Sequence, residues 1–355
     1  MKSVCAILLS VFLLFNAAAS AVAAEPLPSH VPEKYDVYGN PLNESFFIWR
    51  GGLNAAEQAA YDLIYRHAVM LEPDISLAEP IGADRVQNVL DAVRFDNPEL
   101  FWLSDTLRYY YIGEEATGLI LNFTPDYTLL PAYKAAFEER TNALTEYAAH
   151  LPSDAERVKF IHDYLTYSIE YDVSAVEDQS AFGAAVIGRA VCIGYALSFN
   201  YYMQRLGIPS ILVKGMAKGD AHVWNLVCIG GEYYNMDITW DDPEGNPANS
   251  YYYNYYNVTD KQLEGSHFRS IECKGFPEAS GDVFAYNAAH YPSAYDFASL
   301  SVPMDDSIAF ESYAAAFLTA PSYPDLPSDI SPEEPLARSW FEALLERFND
   351  VRQTR

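Results

Sequence analysis

Two adjacent glycines, Gly230 and Gly231, separate two segments rich in apolar residues, 223–229 and 232–238. A double glycine between such segments is a strong signal for a two-residue β-hairpin turn, because the loop positions need positive φ. With this turn Ile229 faces Glu232, and the register of the remaining pairs follows from that one. The sequence therefore predicts an antiparallel strand pair whose side chains can be assigned to faces.

The predicted register places a histidine beside an aspartate. His222 falls opposite Thr239 and Asp237 falls opposite Trp224, so His222 and Asp237 are diagonal neighbours on one face. Diagonal neighbours are roughly 7–8 Å apart, which an imidazole and a carboxylate can bridge. A three-residue loop would put the two side chains on opposite faces, so the prediction depends on the shorter turn.

Cys192 is the third residue of the predicted site. A helix is predicted from about residue 190 to 206, stopped by Gly207, and Cys192 lies at its start. Unpaired backbone N–H groups and the positive end of the helix dipole favour a thiolate there. A lone cysteine at a helix start is more often a small core residue, but a cysteine, a histidine and an aspartate in these positions favour a nucleophile, a base and an orienting acid.

The rest of the chain predicts an α+β fold. Apolar residues at helical spacing and capping residues predict helices over 54–71, 83–95, 130–150 and 153–167. A hairpin is predicted over 107–112 and 118–123, and a strand over 208–216. We divide the chain into an N-terminal helix and hairpin region (25–150), a core (151–274) and an acidic, proline-rich extension (275–355) that ends in an amphipathic helix.

The first 24 residues have the pattern of a signal peptide. Lys2 precedes an apolar segment over 6–15, and small residues follow up to Ala23 and Ala24, where we expect cleavage. The apolar segment is too short to span a bilayer, which takes about 20 residues. The expectation is an exported protein, secreted, periplasmic or at the cell surface, without stable membrane insertion.

The cysteines and the remaining histidines predict neither a metal site nor a cofactor. Cys192, Cys228 and Cys273 show no C-x-x-C spacing. We interpret Cys228 as a core residue, and a Cys228–Cys273 disulfide that leaves Cys192 free is an open alternative. His162 and His267 are interpreted as structural or surface residues.

Charge excludes one class of partner. The chain has 49 acidic and 22 basic residues and a formal net charge of −27. Nucleic-acid binding requires positive charge that this chain lacks, so no nucleic-acid partner is expected. Half of the residues are hydrophobic and 15% are aromatic, enough for a large buried core.

Three sequence blocks together resemble the bacterial transglutaminase-like superfamily. They are residues 188–196 around Cys192, residues 222–225 beginning at His222, and residues 234–243 around Asp237, and they occur in the order and spacing of that family. The resemblance implies a papain-like core in which a helix bearing cysteine packs on an antiparallel sheet bearing histidine and aspartate. It implies that Cys192 is the nucleophile, His222 the general base and acid, and Asp237 the orienting residue.

The family's pattern is not complete in this chain. Animal members use an upstream tryptophan as a second oxyanion donor, and this chain has no tryptophan between residues 103 and 223. Tyr171 and Gln179 are the candidates for that donor, and Trp224 is interpreted as a wall of the site or, equally, as sheet core. Calcium dependence does not carry over, because residues 241–246 are interpreted as a solvated turn.

The function predicted from these residues is acyl transfer. An exported, cysteine-dependent enzyme would attack amide or peptide bonds through a thioester at Cys192, as a peptidase or amidase or as a protein-glutamine transamidase. Its partner would be a protein or peptide, including cell-wall peptide, and hydrolysis is slightly favoured over transfer to an amine. The alternative is a non-catalytic cell-surface binding module that uses its tyrosine clusters and acidic tail to engage a glycan or peptide.

Overall fold

The computed structural model describes residues 33–124, 129–175, 177–242, 252–287, 295 and 297. The predicted signal peptide, the predicted C-terminal helix and residues 243–246 lie outside the described residues. No helix in the described part of the chain combines the length and the apolar character that crossing a bilayer requires.

The N-terminal region packs helices against a three-stranded antiparallel sheet. Its elements, in chain order, are α1 (Ile48–Gly51), α2 (Ala55–Met70), β1 (Asp74–Gly82), α3 (Val86–Asp96), β2 (Leu103–Ile112) and β3 (Glu115–Phe123), and the strand order is β1-β3-β2. Asn54 and Glu57 close the predicted start of α2 as a capping box, with Glu57 N–H donating to Asn54 Oδ1 at 3.0 Å. The predicted helices and hairpin of this region are confirmed.

Strand β1 was not predicted from the sequence. It pairs with β3 at the edge of the sheet, and its register shifts between Ser76 and Ile81. Pro80 lies in this irregular interval, where its missing N–H removes no regular ladder bond. An edge strand with a proline and several charged residues lacks the alternation that identifies a strand from sequence.

The second region places a buried helix on a four-stranded antiparallel sheet. Its helices are α4 (Leu130–Ala149), α5 (Asp154–Ser168), α6 (Cys192–Arg205), α7 (Ile238–Asp241) and α8 (Asp260–Leu263). Its strands are β4 (Glu170–Tyr171), β5 (Arg189–Ala190), β6 (Ser210–Ala217), β7 (Asp220–Ile229), β8 (Glu232–Met236) and β9 (His267–Arg269), and the larger sheet has the order β8-β7-β6-β9. Helix α6 contacts β6 and β7 and is buried over nearly its whole length. This is the predicted α+β architecture.

The β7–β8 hairpin has the predicted register. Ile229 pairs with Glu232, and the ladder continues to Asn225 and Met236. Gly230 and Gly231 have φ of 63° and 87°, the left-handed conformation that the two-residue turn requires. The predicted extension of β8 to residue 238 is wrong, because the ladder ends at Met236 and Asp237 caps helix α7, so the predicted pairs of His222 with Thr239 and of Trp224 with Asp237 do not form.

Strand β9 forms the other edge of the sheet by pairing with β6. Ala217 lies opposite His267, and Gly215 lies opposite both His222 on β7 and Arg269 on β9. A Cβ atom on Gly215 would lie 2.1 Å from the Phe268 carbonyl oxygen and 2.9 Å from Trp224 Cη2. Only glycine therefore allows β9 to approach this closely.

The described start of the C-terminal extension packs against the sheet. The Gly281 N–H donates to the Tyr233 carbonyl oxygen at 3.3 Å, and the Tyr286 ring stacks on Tyr253 with centroids 3.7 Å apart. Ala279 is buried, and its carbonyl oxygen accepts the Asp260 N–H at 2.8 Å. Residues 279–286 are thus attached to the core region.

Candidate active site

Cys192 is the first residue of α6, as predicted. Val191 precedes the helix in an extended conformation, so the chain turns sharply into the helix at the cysteine. Val191 N–H donates to the Asp178 carbonyl oxygen at 3.0 Å, which places the 177–180 loop against the start of α6. The Cys192 residue is only 3% exposed. The N–H groups of the first helical turn surround this end of the helix and favour negative charge there.

His222 and Asp237 meet, although Asp237 lies just beyond the end of β8 rather than opposite Trp224 on the strand. The imidazole Nε2 lies 2.7 Å from Asp237 Oδ2, and both residues are buried. The Cys192 side chain lies near enough to this ring to raise the pKa of His222. Because Asp237 occupies Nε2, Nδ1 is the nitrogen left for the sulfur. The structure thus brings together the three residues singled out from the sequence.

The electrostatics of this pair favour two charged groups. Burial alone would lower the pKa of His222, but the Asp237 carboxylate and the Cys192 side chain outweigh it and raise that pKa to about 10. Burial alone would raise the pKa of Asp237, but His222 and His267 lower it to about 2. At neutral pH Asp237 is therefore a carboxylate, and the Nε2–H group of His222 donates a hydrogen bond to it.

His267 belongs to this site, although the sequence analysis placed it among structural or surface residues. Its Nε2 lies 3.0 Å from Asp237 Oδ2, the same oxygen that His222 contacts, and the residue is buried. It lies in a three-residue strand that pairs with β6, some fifty positions earlier in the chain. Nothing in the residues around position 267 signals this pairing.

Two tryptophans form aromatic walls at the histidine. The Trp240 ring is 5.2 Å from the His222 ring at an angle of 28°, and the Trp224 ring is 6.3 Å away at 17°. Trp224 is 2% exposed and donates from Nε1 to Asn235 Oδ1 at 2.9 Å, so it is both a wall and sheet core. Trp240 was not singled out from the sequence, and Lys218 Nζ lies 4.1 Å above its ring.

The two candidates for a second oxyanion donor lie close to the start of α6. Tyr171 is half-buried and pairs with Ala190, two residues before the cysteine. Gln179 follows Asp178 in the loop against α6, and its carbonyl oxygen accepts a hydrogen bond from Arg94 at 3.1 Å. A role for either side chain at the reacting oxygen stays a prediction.

The three cysteines of the described chain are free thiols. The alternative of a Cys228–Cys273 disulfide is therefore wrong for this structure. Cys228 is half-buried rather than a core residue, because its side of β7 is partly open, whereas Cys273 is fully buried. Burial raises the pKa of both thiols, so each is less readily ionised than an ordinary cysteine.

The atoms around Asp237 also have the composition of a metal site. His222 Nε2, His267 Nε2 and Asp237 Oδ2 all lie within 4.8 Å of one another, and two imidazoles with a carboxylate suit a transition-metal ion. The two nitrogens lie 2.7 Å and 3.0 Å from the carboxylate oxygen, which are ordinary hydrogen-bond distances. Hydrogen bonds therefore account for the arrangement, and the proposed mechanism uses no metal.

A thiol at a helix start, an imidazole near it and a carboxylate bonded to the imidazole form the papain-like arrangement of a cysteine-dependent enzyme. Comparison with known families agrees with that class. Residues 142–238 match the model of the transglutaminase-like superfamily, and this part of the chain is a transglutaminase-like domain. The match includes Cys192, His222 and Asp237 but ends before His267.

Curated proteins similar to this chain include a peptidase from two mammals. The chain is 33% identical to the Kyphoscoliosis peptidase of Mus musculus over 25% of this chain and 16% of that protein. It is 31% identical to the Kyphoscoliosis peptidase of Homo sapiens over 30% of this chain and 18% of that protein. The chain thus spans less than a fifth of the length of these curated relatives.

A solved structure described as a TGase is also similar. It is 18% identical to this chain, with 38% of this chain and 44% of that chain covered and a TM-score of 0.27. The family match over residues 142–238 supports a cysteine-dependent enzyme in general.

Proposed function

We propose that this protein is an exported acyl-transfer enzyme that attacks amide or peptide bonds of proteins or peptides through a thioester at Cys192. One observation carries the proposal. The His222 ring bonds Asp237 at 2.7 Å through Nε2, and Cys192 lies near enough to the same ring to raise its pKa. That arrangement orients the imidazole so that it can exchange a proton with the sulfur.

The first step is activation of the thiol. The Cys192 proton moves to His222 Nδ1, leaving a thiolate at the start of α6 and an imidazolium bonded to Asp237. The raised pKa of His222, caused by Asp237 and Cys192 against the opposing effect of burial, supports an imidazolium at neutral pH. A thiolate is the nucleophilic form of cysteine, so this ion pair is ready to react.

The second step forms the thioester. The thiolate attacks the carbonyl carbon, and the carbonyl oxygen becomes an oxyanion that the Cys192 backbone N–H stabilises. When the intermediate collapses, the C–N bond breaks and the leaving amine takes the proton from His222. The acyl group remains on the sulfur, and His222 is neutral again.

The third step transfers the acyl group to an acceptor. Water or an amine gives a proton to His222 and attacks the thioester, which releases Cys192 and yields a carboxylic acid or a new amide. We place hydrolysis first, because water is always present whereas transfer to an amine requires a site that excludes it. The name of the mammalian relatives, a peptidase, also supports hydrolysis.

Export is part of the proposal and rests on the sequence of residues 1–24. Outside the cytoplasm the enzyme would act on proteins or on cell-wall peptide. Mass spectrometry of the N-terminus of protein recovered from the culture medium or cell envelope tests this part. A mature chain that begins near residue 25 supports export, whereas an intact Met1 in the cytoplasm contradicts it.

Selective alkylation tests the chemistry without a known substrate. At pH ~6, where an ordinary thiol with a pKa near ~8.5 is almost wholly protonated, iodoacetamide should label Cys192 and spare Cys228 and Cys273. His222→Ala should reduce labelling of Cys192 at least about tenfold. Cys228→Ala is the matched control and should leave the labelling rate unchanged.

If Cys192 reacts no faster than the other two thiols, or if His222→Ala reacts as fast as wild type, the enzyme proposal is wrong. The non-catalytic binding module then becomes the better hypothesis. A second experiment separates the acceptors. Peptide and amide substrates incubated with and without a primary amine should yield only the free acid for a hydrolase, but an amine conjugate for a transamidase.

A further inference from the structure

Asp237 and His267 join the two edges of the larger sheet. Asp237 follows β8 and His267 lies on β9, and these are the first and last strands in the order β8-β7-β6-β9. Their side chains nevertheless meet at 3.0 Å. The sheet must therefore curl at this end, and the site lies where the two edges approach each other.

A second carboxylate reinforces this closure. Asp260 Oδ1 accepts hydrogen bonds from Asn235 on β8 at 2.8 Å and from the Arg269 guanidinium on β9 at 2.7 Å. Two carboxylates thus connect the edge strands. Strand β9 is held in place independently of His267, so a substitution at position 267 can be tested without removing the strand.

We infer that His267 is a positioning residue, whose Nε2–H holds the Asp237 carboxylate in the orientation that His222 needs. The inference deepens the proposed function and rests on it. His267 touches neither the sulfur nor the substrate in this scheme, because it acts through Asp237.

The side chain of Asp237 accepts hydrogen bonds from three donors. Oδ1 accepts the Trp240 N–H at 3.2 Å, while Oδ2 accepts from His222 at 2.7 Å and from His267 at 3.0 Å. The three donors come from α7, β7 and β9. Rotation about the Cβ–Cγ bond would break at least one of these bonds, so the carboxylate is fixed. Without His267, Oδ2 would be held only by the histidine that it is meant to orient.

His267 is itself held firmly. Its Nδ1 lies 2.9 Å from Ser266 Oγ, whose single proton can go either to Nδ1 or to the Leu263 carbonyl oxygen, also 2.9 Å away. Its ring packs against Trp240 and Trp224, with centroids 4.6 Å and 5.1 Å away. Both ring nitrogens and the surroundings of the ring are therefore occupied. Such outer partners commonly change activity by about 10- to 100-fold when they are removed from metal sites, and the same positional logic applies to a triad.

The test compares two substitutions at position 267. His267→Leu fills the space but removes the donor, whereas His267→Gln can place a side-chain N–H close to the Nε2 position. We expect Cys192 alkylation by iodoacetamide at pH ~6 to fall about tenfold in His267→Leu and to stay within about twofold of wild type in His267→Gln. His67→Leu, at a half-buried histidine on α2, is the control and should change nothing.

A spectroscopic readout separates positioning from a structural role. In ¹⁵N-histidine-labelled protein, the proton on His222 Nε2 should give a far-downfield resonance because it bonds a carboxylate. The inference predicts that this resonance is lost in His267→Leu and restored in His267→Gln. A purely structural role would lower the free energy of unfolding in both variants and leave the resonance of the folded protein in place.

The outcomes are distinct from those of the proposed function. An unchanged resonance and an unchanged alkylation rate in His267→Leu would overturn the positioning role, even if wild-type Cys192 reacts selectively. If wild-type Cys192 is not selectively alkylated, the proposed function fails, and the resonance alone still decides whether His267 orients Asp237.

Discussion

His222 and His162 are both buried against carboxylates, and of these two only His222 faces a nucleophile. His222 bonds Asp237 through Nε2, and the Cys192 thiol lies near enough to the ring to raise its pKa. His162 on α5 has a carboxylate on each nitrogen, with Asp163 Oδ1 at 3.0 Å from Nδ1 and Asp241 Oδ2 at 3.2 Å from Nε2.

Burial and charge do not separate the two sites. Lys159, His162, Asp163 and Asp241, which we call the sealed cluster, are almost fully buried, and Lys159 pairs with Asp163. Burial alone would lower the pKa of His162, but Asp163 and Asp241 raise it, as Asp237 does for His222. The difference is the second ring nitrogen. Both nitrogens of His162 contact carboxylates, whereas only Nε2 of His222 does, which leaves Nδ1 to exchange a proton with the thiol.

The two sites should differ most in activity when their aspartates are replaced. Asp237→Asn keeps a side-chain oxygen for the Trp240 N–H but offers His222 the wrong hydrogen-bond partner, so turnover should fall on the order of 10³-fold or more. Asp241→Asn makes the same chemical change in the sealed cluster and should alter turnover by no more than a few-fold. Steady-state rates on a peptide or amide substrate that the wild type turns over, with circular dichroism to verify folding, provide the measurement.

Equal losses in these two aspartate variants would mean that the two clusters do not differ in function. An unaffected rate in Asp237→Asn would remove this residue from the mechanism.

A substitution in the sealed cluster should instead lower the free energy of unfolding. His162→Leu leaves Asp163 and Asp241 buried with one cationic partner between them, and loss of one member of a buried charge pair costs about 3–5 kcal/mol. Urea unfolding should therefore show a much lower free energy of unfolding. The folded fraction of His162→Leu should still be alkylated at Cys192 as fast as wild type, and loss of that reactivity would contradict a purely structural role.

The smallest effect concerns pH. The pKa of His222 is raised from 6.5 to about 10 by Asp237 and Cys192 against the effect of burial, so protonated His222 stabilises the folded state. This stabilisation is complete below about pH 6.5 and is lost as pH rises through about 10. The difference in unfolding free energy between wild type and His222→Leu should therefore shrink by up to a few kcal/mol between neutral pH and pH ~10.5. A difference that is constant or grows with pH would contradict the assigned ion pair.

Local patterns were enough to predict the centre of the site. The double glycine fixes the register of β7 and β8, and Gly207 marks the end of the helix that Cys192 begins. These signals depend only on residues close together in the sequence, so they can be interpreted without knowledge of the rest of the fold. The helices with capping boxes, such as the one begun by Asn54, were predictable for the same reason.

The remaining parts depend on contacts between distant positions. His267 lies in a strand too short to show a pattern, and its partner strand is β6. Strand β1 contains Pro80 and pairs only at an edge, so its residues do not alternate clearly. The burial of Cys228 was overestimated because apolar neighbours on a strand do not reveal which face is covered.

The curl that brings β9 beside Asp237 also sets an order of assembly. A ribosome synthesises Cys192, His222 and Asp237 before it reaches His267. A nascent chain that has emerged only as far as the aspartate contains the thiol, the imidazole and the carboxylate but lacks the far edge of the sheet. The hydrogen bonding of the site is therefore completed only after translation has passed β9.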